Sequence, residues 1–518
     1  MKKLFTSVLL VLSALTMQAE DYTGNLNIIV PDMEIDTNQD ASISVTAQQD
    51  GNYELKIENF NFDGIPVGTI DVKDVKATRG ENGLTILYFN GNTVIQDSEQ
   101  GGILVGSTVD IDLKGMLTSV GFRANIDIVA ENDGTPLPVT VNFTPDGKAA
   151  QIPNSDFENF HTATYSKYSS TEADHWHSFT SAKASGWYVA ARMGKQSEES
   201  TDVREGTSGT KCLKITSAII AGQTANGTVT TGRLNAGAMS AKDTKNHAFL
   251  DLSNTDVDDN GDPFYTTLET MPDAIEFYCR FKQGQDNLSN KYASMRAVIT
   301  DGTYYQDPED KTYTNIVAVA ANKKIEGTDV WQKVTEKFDY ETYAKNEKDP
   351  KAILVTISTN SEPGVASSDK DNPDYIYIDD LRLIYNANLT SLRFMGEELF
   401  QEGKTEYSVN TVGPVSLDDI WVMSDGIGAY ETTSLEEVEG GCKATITITS
   451  EDLKTQNVYV LNIKGGTVTG INKHQATTFQ NGTKAIYNLA GQQVGDMSKA
   501  GVYIIERTDG STVKVLKK

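Results

Sequence analysis

Two histidines flank a tryptophan at His175-Trp176-His177. On a β-strand, residues two apart share a face. The pair could therefore present two imidazoles to one metal ion, with Asp174 or His161 as a third ligand. The same residues suit a polar loop ahead of the first strands of a sandwich, and that is the preferred reading. Further on, Asp256-Val-Asp258-Asp-Asn260-Gly261 alternates oxygen donors and carries glycine at the sixth place, as a calcium loop does. Thr267 stands where such a loop would close with glutamate, and the turn residues favour a hairpin or long loop. Two carboxylates ~5–10 Å apart could hydrolyse a glycoside. With 72 Asp and Glu, some pair fits any spacing, and none lies in an aromatic setting that would raise its pKa. H-E-x-x-H, G-x-S-x-G, C-x-x-C and G-x-x-x-x-G-K-[ST] are all absent. No catalytic residue is assigned, and binding is favoured over catalysis.

Sugar binding needs flat aromatic faces. Trp176, Trp187 and Tyr188 cluster in sequence and are the candidate ligand-binding residues, while Tyr304-Tyr305 follows Asp301-Gly302 on a loop. Large aromatics in a sandwich more often fill the core. Trp331 is assigned there outright and Trp176 leans the same way, which leaves Trp187 or Tyr188 as the platform.

These residues sit in a chain of 518, too long for one core. Lys plus Arg is 45 against 72 Asp plus Glu, a net charge of −27. Phosphate binding needs clustered Lys and Arg, so nucleic acid and anionic headgroups are excluded as partners. Residues 1–19 read as a signal peptide: Lys2 and Lys3, an apolar stretch from Leu4 to Met17, then Met17-Gln18-Ala19 as a cleavage site. The apolar stretch falls short of the ~20 residues that span a bilayer, and no transmembrane segment is expected. The reading is an exported protein, extracellular or on the outer-membrane surface. Three cysteines do not make a disulfide scaffold. Cys212 and Cys279 could pair or remain buried thiols, and Cys442 is left over.

The fold class expected is all-β, with modules in series. Residues 20–147 alternate apolar and polar residues, as at Tyr53, Leu55, Ile57 and at Val109, Ile111, Leu113. Eight or nine strands fit a small closed antiparallel barrel, filled by its own side chains rather than by a ligand. Asn90-Gly91 reads as a two-residue hairpin turn. This segment resembles the calycin-like domain of secreted Bacteroidota proteins.

Residues 150–386 open with Asn154-Ser-Asp156-Phe157-Glu158 and close with Ile378-Asp379-Asp380-Leu381. Between them come Gly261-Asp-Pro-Phe264, Met271-Pro272 and Thr356-Ile-Ser-Thr-Asn360. The segment resembles jelly-roll carbohydrate-binding modules, and more closely the "putative carbohydrate metabolism domain" of Bacteroidota surface proteins. That resemblance implies a glycan or host-surface ligand. It also implies one structural calcium clamped by Glu158 and Asp380, helped by Asp156 or Asp379. Residues 387–465, from Leu389-Thr-Ser-Leu392 to Tyr459-Val-Leu-Asn-Ile463, resemble a cadherin-like (Ig-like) β-sandwich. Residues 480–518, with Tyr487-Asn-Leu-Ala-Gly491-Gln and Gly501-Val-Tyr-Ile-Ile505, resemble the short C-terminal sheet that sorts type IX secretion substrates. The secretion machinery is the partner this implies. The whole reads as a non-catalytic carbohydrate-binding surface protein, with a carbohydrate-active hydrolase or an adhesin as alternatives.

Overall fold

The computed structural model describes residues 19–468 except 31–34, 49, 63–64, 80–84, 100, 119–120, 133–134, 145–149 and 286–290. Beyond 468 it describes the strands Gln475–Ala476, Thr483–Asn488, Gln493–Val494, Gly501–Arg507 and Thr512–Lys517. The apolar stretch of the expected signal peptide lies outside the described residues. The fold is all-β, as the alternating sequence implies, and it divides into two units, one over Met1–Gly147 with Lys473–Ala476 and one over the rest.

The first unit is a closed barrel of eight antiparallel strands, from Ala19–Val30 to Thr135–Thr144. Alternation places one face of each strand inside: Leu26, Ile28 and Val30 are buried while their neighbours are only partly so. Closure comes from the first strand, which pairs with both the second and the eighth. At that seam Gly24 lies so close to the last strand that a Cβ would stand 2.4 Å from the Thr144 carbonyl oxygen. An asparagine ladder crosses the seam, Asn125 Nδ2 donating to Asn142 Oδ1 (2.9 Å) and Asn142 Nδ2 to Asn27 Oδ1 (3.1 Å). The interior is packed, leaving a void of about 10 Å³ lined by residues such as Leu55, Phe60, Val72 and Ile126. The Asn90-Gly91 turn does not form. Thr85–Val94 is one unbroken strand, with Asn90 opposite Asp112 and Gly91 opposite Ile111. The Phe89 ring lies against Gly91, where a Cβ would come within 3.0 Å of it.

The second unit opens with a jelly roll. One sheet runs Ser197–Ser200, Cys212–Thr216, Tyr375–Ile384, Ala274–Lys282, Gln332–Lys337. The facing sheet carries Thr228–Thr230, Ala352–Ser358, Ala293–Thr300 and Ile316–Ile325. Ile215, Phe277, Phe281, Ile376 and Ile378 from the first layer meet Met295, Ile299, Ile353 and Val355 from the second in one buried core. Each such side chain contributes on the order of 1.5–3 kcal/mol by leaving water. The opening segment lies along the closing strand. Leu381 N–H donates to the Ser155 carbonyl (2.9 Å), and the Gln151 side chain exchanges two bonds with Leu383 (2.7 and 2.8 Å).

Trp331 is not in this core. It is partly exposed, and Arg280 lies over its ring at 5.6 Å. Lys214 pairs with Tyr377 and Tyr377 with Arg280 on neighbouring strands, so Trp331 ends a row of alternating cations and aromatic rings. Cys212, Cys279 and Cys442 are all free and buried, and burial pushes the Cys279 thiol up to about 12.

A sandwich follows. Leu389–Phe394 pairs with Ile420–Ser424, and Glu406–Val415, Gln456–Val468, Gly441–Thr449 and Tyr430–Val438 lie side by side, enclosing Leu392, Val422, Ile446 and Leu461. It is bonded to the roll by carboxylates: Asp273 accepts from Asn386 N–H and Ile427 N–H, and Glu451 accepts from Met271 N–H. Four C-terminal strands form an antiparallel sheet in the order Gln493–Val494, Thr483–Asn488, Gly501–Arg507, Thr512–Lys517.

Candidate metal centre

The expected clamp residues meet protein donors. Glu158 accepts from Thr210 N–H, Thr210 Oγ1 and Lys211 N–H, each at 3.0 Å. Asp380 is paired with the Arg204 guanidinium. Asp379 is buried and accepts from Arg204 N–H (3.3 Å), and burial raises its carboxyl to about 6. A calcium ion wants six or more oxygen ligands around a net negative site. Arg204 already supplies the positive charge at Asp380, and the Glu158 carboxylate closes the Thr210–Lys211 turn. Glu158 and Asp380 are thus engaged by protein donors, while the buried Asp379 Oδ1 has no hydrogen-bond partner. Asp156, the expected helper, has interactions of its own.

The aromatic candidates separate. Trp176 is buried in the core with its ring 5.1 Å from Phe157, so neither face is available to a ligand. Trp187 is 90% exposed at the start of a 3-10 helical run, Gly186–Met193, and Tyr188 beside it is partly exposed. Arg192 anchors that run, with Nε donating to the Thr180 carbonyl (2.8 Å) and the guanidinium 4.3 Å from the Tyr165 ring.

Histidine chemistry assembles elsewhere than at a His175–His177 pair. His175 has φ +66°, a left-handed turn, so the i, i+2 strand geometry is lost. Its ring turns to Asp262, with Nδ1 3.3 Å from Oδ1. His177 is held by two backbone bonds with Thr230 and is fully buried, its ring 4.6 Å from Phe264.

What joins His177 is a hairpin and a loop. Strands Phe160–Tyr165 and Tyr168–Ala173 turn through Ser166, at φ +57°, and their register puts His161 opposite Glu172. The acidic loop is a closed turn: Asp258 Oδ1 accepts from Asn260 N–H and Asp262 N–H, both at 2.9 Å. Asp259 Oδ2 accepts from Thr164 N–H (2.7 Å) and ties this loop to the hairpin. The result brings Asp258 Oδ2 within 3.3 Å of His161 Nε2 and within 3.3 Å of His177 Nε2. Glu172 Oε2 stands 4.0 Å from His161 Nε2. A second group lies on the other side of the His161 ring, whose Nδ1 is 2.9 Å from Asp174 Oδ1, with Asp262 beside them.

The electrostatics follow from that arrangement. Burial alone would lower the His161 imidazole, but Asp258 and then Asp174 outweigh it and raise it to about 9. Burial would raise Asp258, but His161 and His177 hold it well below the usual carboxylate range. Sequence reasoning offered His161 or Asp174 as a third ligand beside His175 and His177, kept Asp258 in a separate loop, and passed over Glu172. The signal was the symmetry of His161 and Glu172 about the Ser166-Lys167 turn, which makes them a cross-strand pair.

Residues 19–146 match the family model of the calycin-like β-barrel domain. No curated protein matches the chain. Among solved structures it is similar to a "putative glycoside hydrolase" from Bacteroides vulgatus ATCC 8482, at 18% identity over 46% of this chain and 98% of that one, TM-score 0.31. A "putative glycoside hydrolase" from Bacteroides thetaiotaomicron VPI-5482 gives 14% identity over 60% of this chain and 89% of that one, TM-score 0.32. The M60 catalytic domain with CBM51 domains of Clostridium perfringens ZmpB gives 12% identity over 96% of this chain and 44% of that one, TM-score 0.15. No helix among the described residues is long and apolar enough to cross a membrane.

Proposed function

We propose that this chain is a secreted or cell-surface, non-catalytic carbohydrate-binding protein that meets its glycan on the jelly roll. The observation that carries the reading is Trp187, a tryptophan 90% exposed on a short helical run. Tryptophan is rarely so exposed in a soluble fold. Its indole face offers a flat apolar platform on which the C–H face of a pyranose can stack. Gly186, at φ +57°, turns the chain into this run, and Arg192 fixes its far end. Export through the N-terminal signal, and sorting by the secretion machinery through residues 480–518, would deliver this surface outside the cell.

Glycan-array binding of the full chain and of Trp187→Ala tests the reading. Binding to a defined glycan class, lost in the variant, is expected, with no reducing ends released from the bound glycan. Undiminished binding by Trp187→Ala, or turnover of the glycan, contradicts it.

A further inference from the structure

We propose that His161 Nε2, His177 Nε2, Asp258 Oδ2 and Glu172 Oε2 form a closed structural site for one zinc ion. The inference is independent of the glycan reading. None of these four atoms makes a well-aligned hydrogen bond, and the neighbours given for them are one another: Asp258 Oδ2 has both imidazole nitrogens at 3.3 Å, and Glu172 Oε2 has His161 Nε2 at 4.0 Å. Their side chains are 10%, 0%, 0% and 0% exposed, respectively. Buried polar atoms are normally well hydrogen-bonded, whereas here ligand atoms of His161, Glu172 and Asp258 lie within 4.8 Å of one another and His177 Nε2 joins them through Asp258 Oδ2 at 3.3 Å.

The separations suit a small tetrahedral ion. Donors about 2.0–2.1 Å from a tetrahedral zinc stand roughly 3.3–3.4 Å apart. His161 Nε2 and His177 Nε2 each lie 3.3 Å from Asp258 Oδ2. Glu172 Oε2, at 4.0 Å from His161 Nε2, is the outermost donor. Zinc accepts both carboxylates and imidazoles, whereas calcium and magnesium take oxygen ligands, so the two imidazoles select against them. Charge closes as well: two carboxylates and two neutral imidazoles balance a dication, so no net charge is left buried.

The surrounding bonds are those of a ligand set held in place. His161 gives its other nitrogen to Asp174, at 2.9 Å, the carboxylate–histidine arrangement that orients a metal-bound imidazole. Glu172 Oε1 accepts from Ser178 N–H (2.8 Å), Ser178 Oγ and Ser181 Oγ (3.1 Å), which leaves Oε2 for the ion. Asp258 Oδ1 is held by its own turn, which leaves Oδ2. With every donor buried, no position opens to water, so the ion would be structural. It would pin the opening hairpin, the His177 segment and the Asp258 loop to one another.

The test uses the full chain, stripped with chelator, then titrated calorimetrically with zinc chloride, with calcium and magnesium chloride as controls. One equivalent of zinc, no calcium or magnesium uptake, and a higher melting temperature with zinc are expected. His177→Gln removes a ligand and should weaken zinc at least 100-fold. Asp174→Asn, at the more exposed rim, should weaken it by about 10–100-fold and leave the fold intact, which keeps the test sound if His177→Gln does not fold. Absence of a zinc equivalent in the wild type, equal uptake of calcium, or unchanged zinc affinity in Asp174→Asn overturns the proposal.

Discussion

His161 and Glu172 face each other in register across the first hairpin of the jelly roll, with Nε2 of one 4.0 Å from Oε2 of the other. Glu172 is fully buried, and its second oxygen collects three donors from Ser178 and Ser181. One carboxylate therefore joins the hairpin to the 3-10 turn Phe179–Ser181.

Glu172→Ala should cost about 1–3 kcal/mol, because it leaves the buried Ser178 N–H and Ser178 hydroxyl without their acceptor, while the Ser181 hydroxyl keeps the Ser178 carbonyl. Denaturant unfolding followed by tryptophan fluorescence checks this. All four tryptophans, Trp176, Trp187, Trp331 and Trp421, lie in the second unit, so the signal reports on it alone. A loss below about 0.5 kcal/mol, the range of ordinary surface substitutions, would contradict the assigned role.

Calcium should leave the protein unchanged. Arg204 pairs with Asp380, and Glu158 is saturated by the Thr210–Lys211 turn. Melting temperatures with chelator and with millimolar calcium are expected to agree. A calcium-dependent rise that disappears in Asp380→Asn would restore the clamp.

Asp273 sets a pH dependence. It lies where the roll meets the following sandwich, and burial raises its carboxyl from 3.8 to about 6. The Asn386 and Ile427 N–H groups oppose that shift, while Asp425 and Glu451 add to it. The folded pKa is above the unfolded one, so its stabilising contribution is full below about pH 4 and is lost as pH rises through about 6. The shift corresponds to no more than about 3 kcal/mol. Unfolding free energies of wild type and Asp273→Asn at pH 4 and pH 7 measure it. The wild-type advantage should shrink between those two pH values, and a constant difference would contradict the assignment.

Trp187→Ala should abolish glycan binding while changing stability by less than about 0.5 kcal/mol, because the indole buries almost nothing. Array binding and fluorescence-detected unfolding of the same preparation separate the two effects. Loss of both together would mark Trp187 as a structural residue.

Alternation made the barrel legible, since Leu26, Ile28 and Val30 announce their buried face directly. Asn90-Gly91 misled because a turn dipeptide carries no information on register, and the strand around it stays paired along its length. Trp331 misled because size alone suggested the core, whereas cross-strand cations gave it a place on the outer face. Strand spacing suggested a His175–His177 pair, and a single left-handed residue at His175 dissolved it. The residues the fold does gather are His161 and Glu172 from one hairpin and Asp258 from a loop distant in sequence. Only the hairpin register and the closed acidic turn bring them together.

X-ray absorption at the zinc edge on the zinc-loaded full chain tests the cluster most directly. The arrangement predicts four nitrogen or oxygen scatterers at about 2.0–2.1 Å, with the outer-shell pattern of two imidazoles. Sulfur scatterers at about 2.3 Å, or a shell without imidazole, would place the metal elsewhere and contradict it.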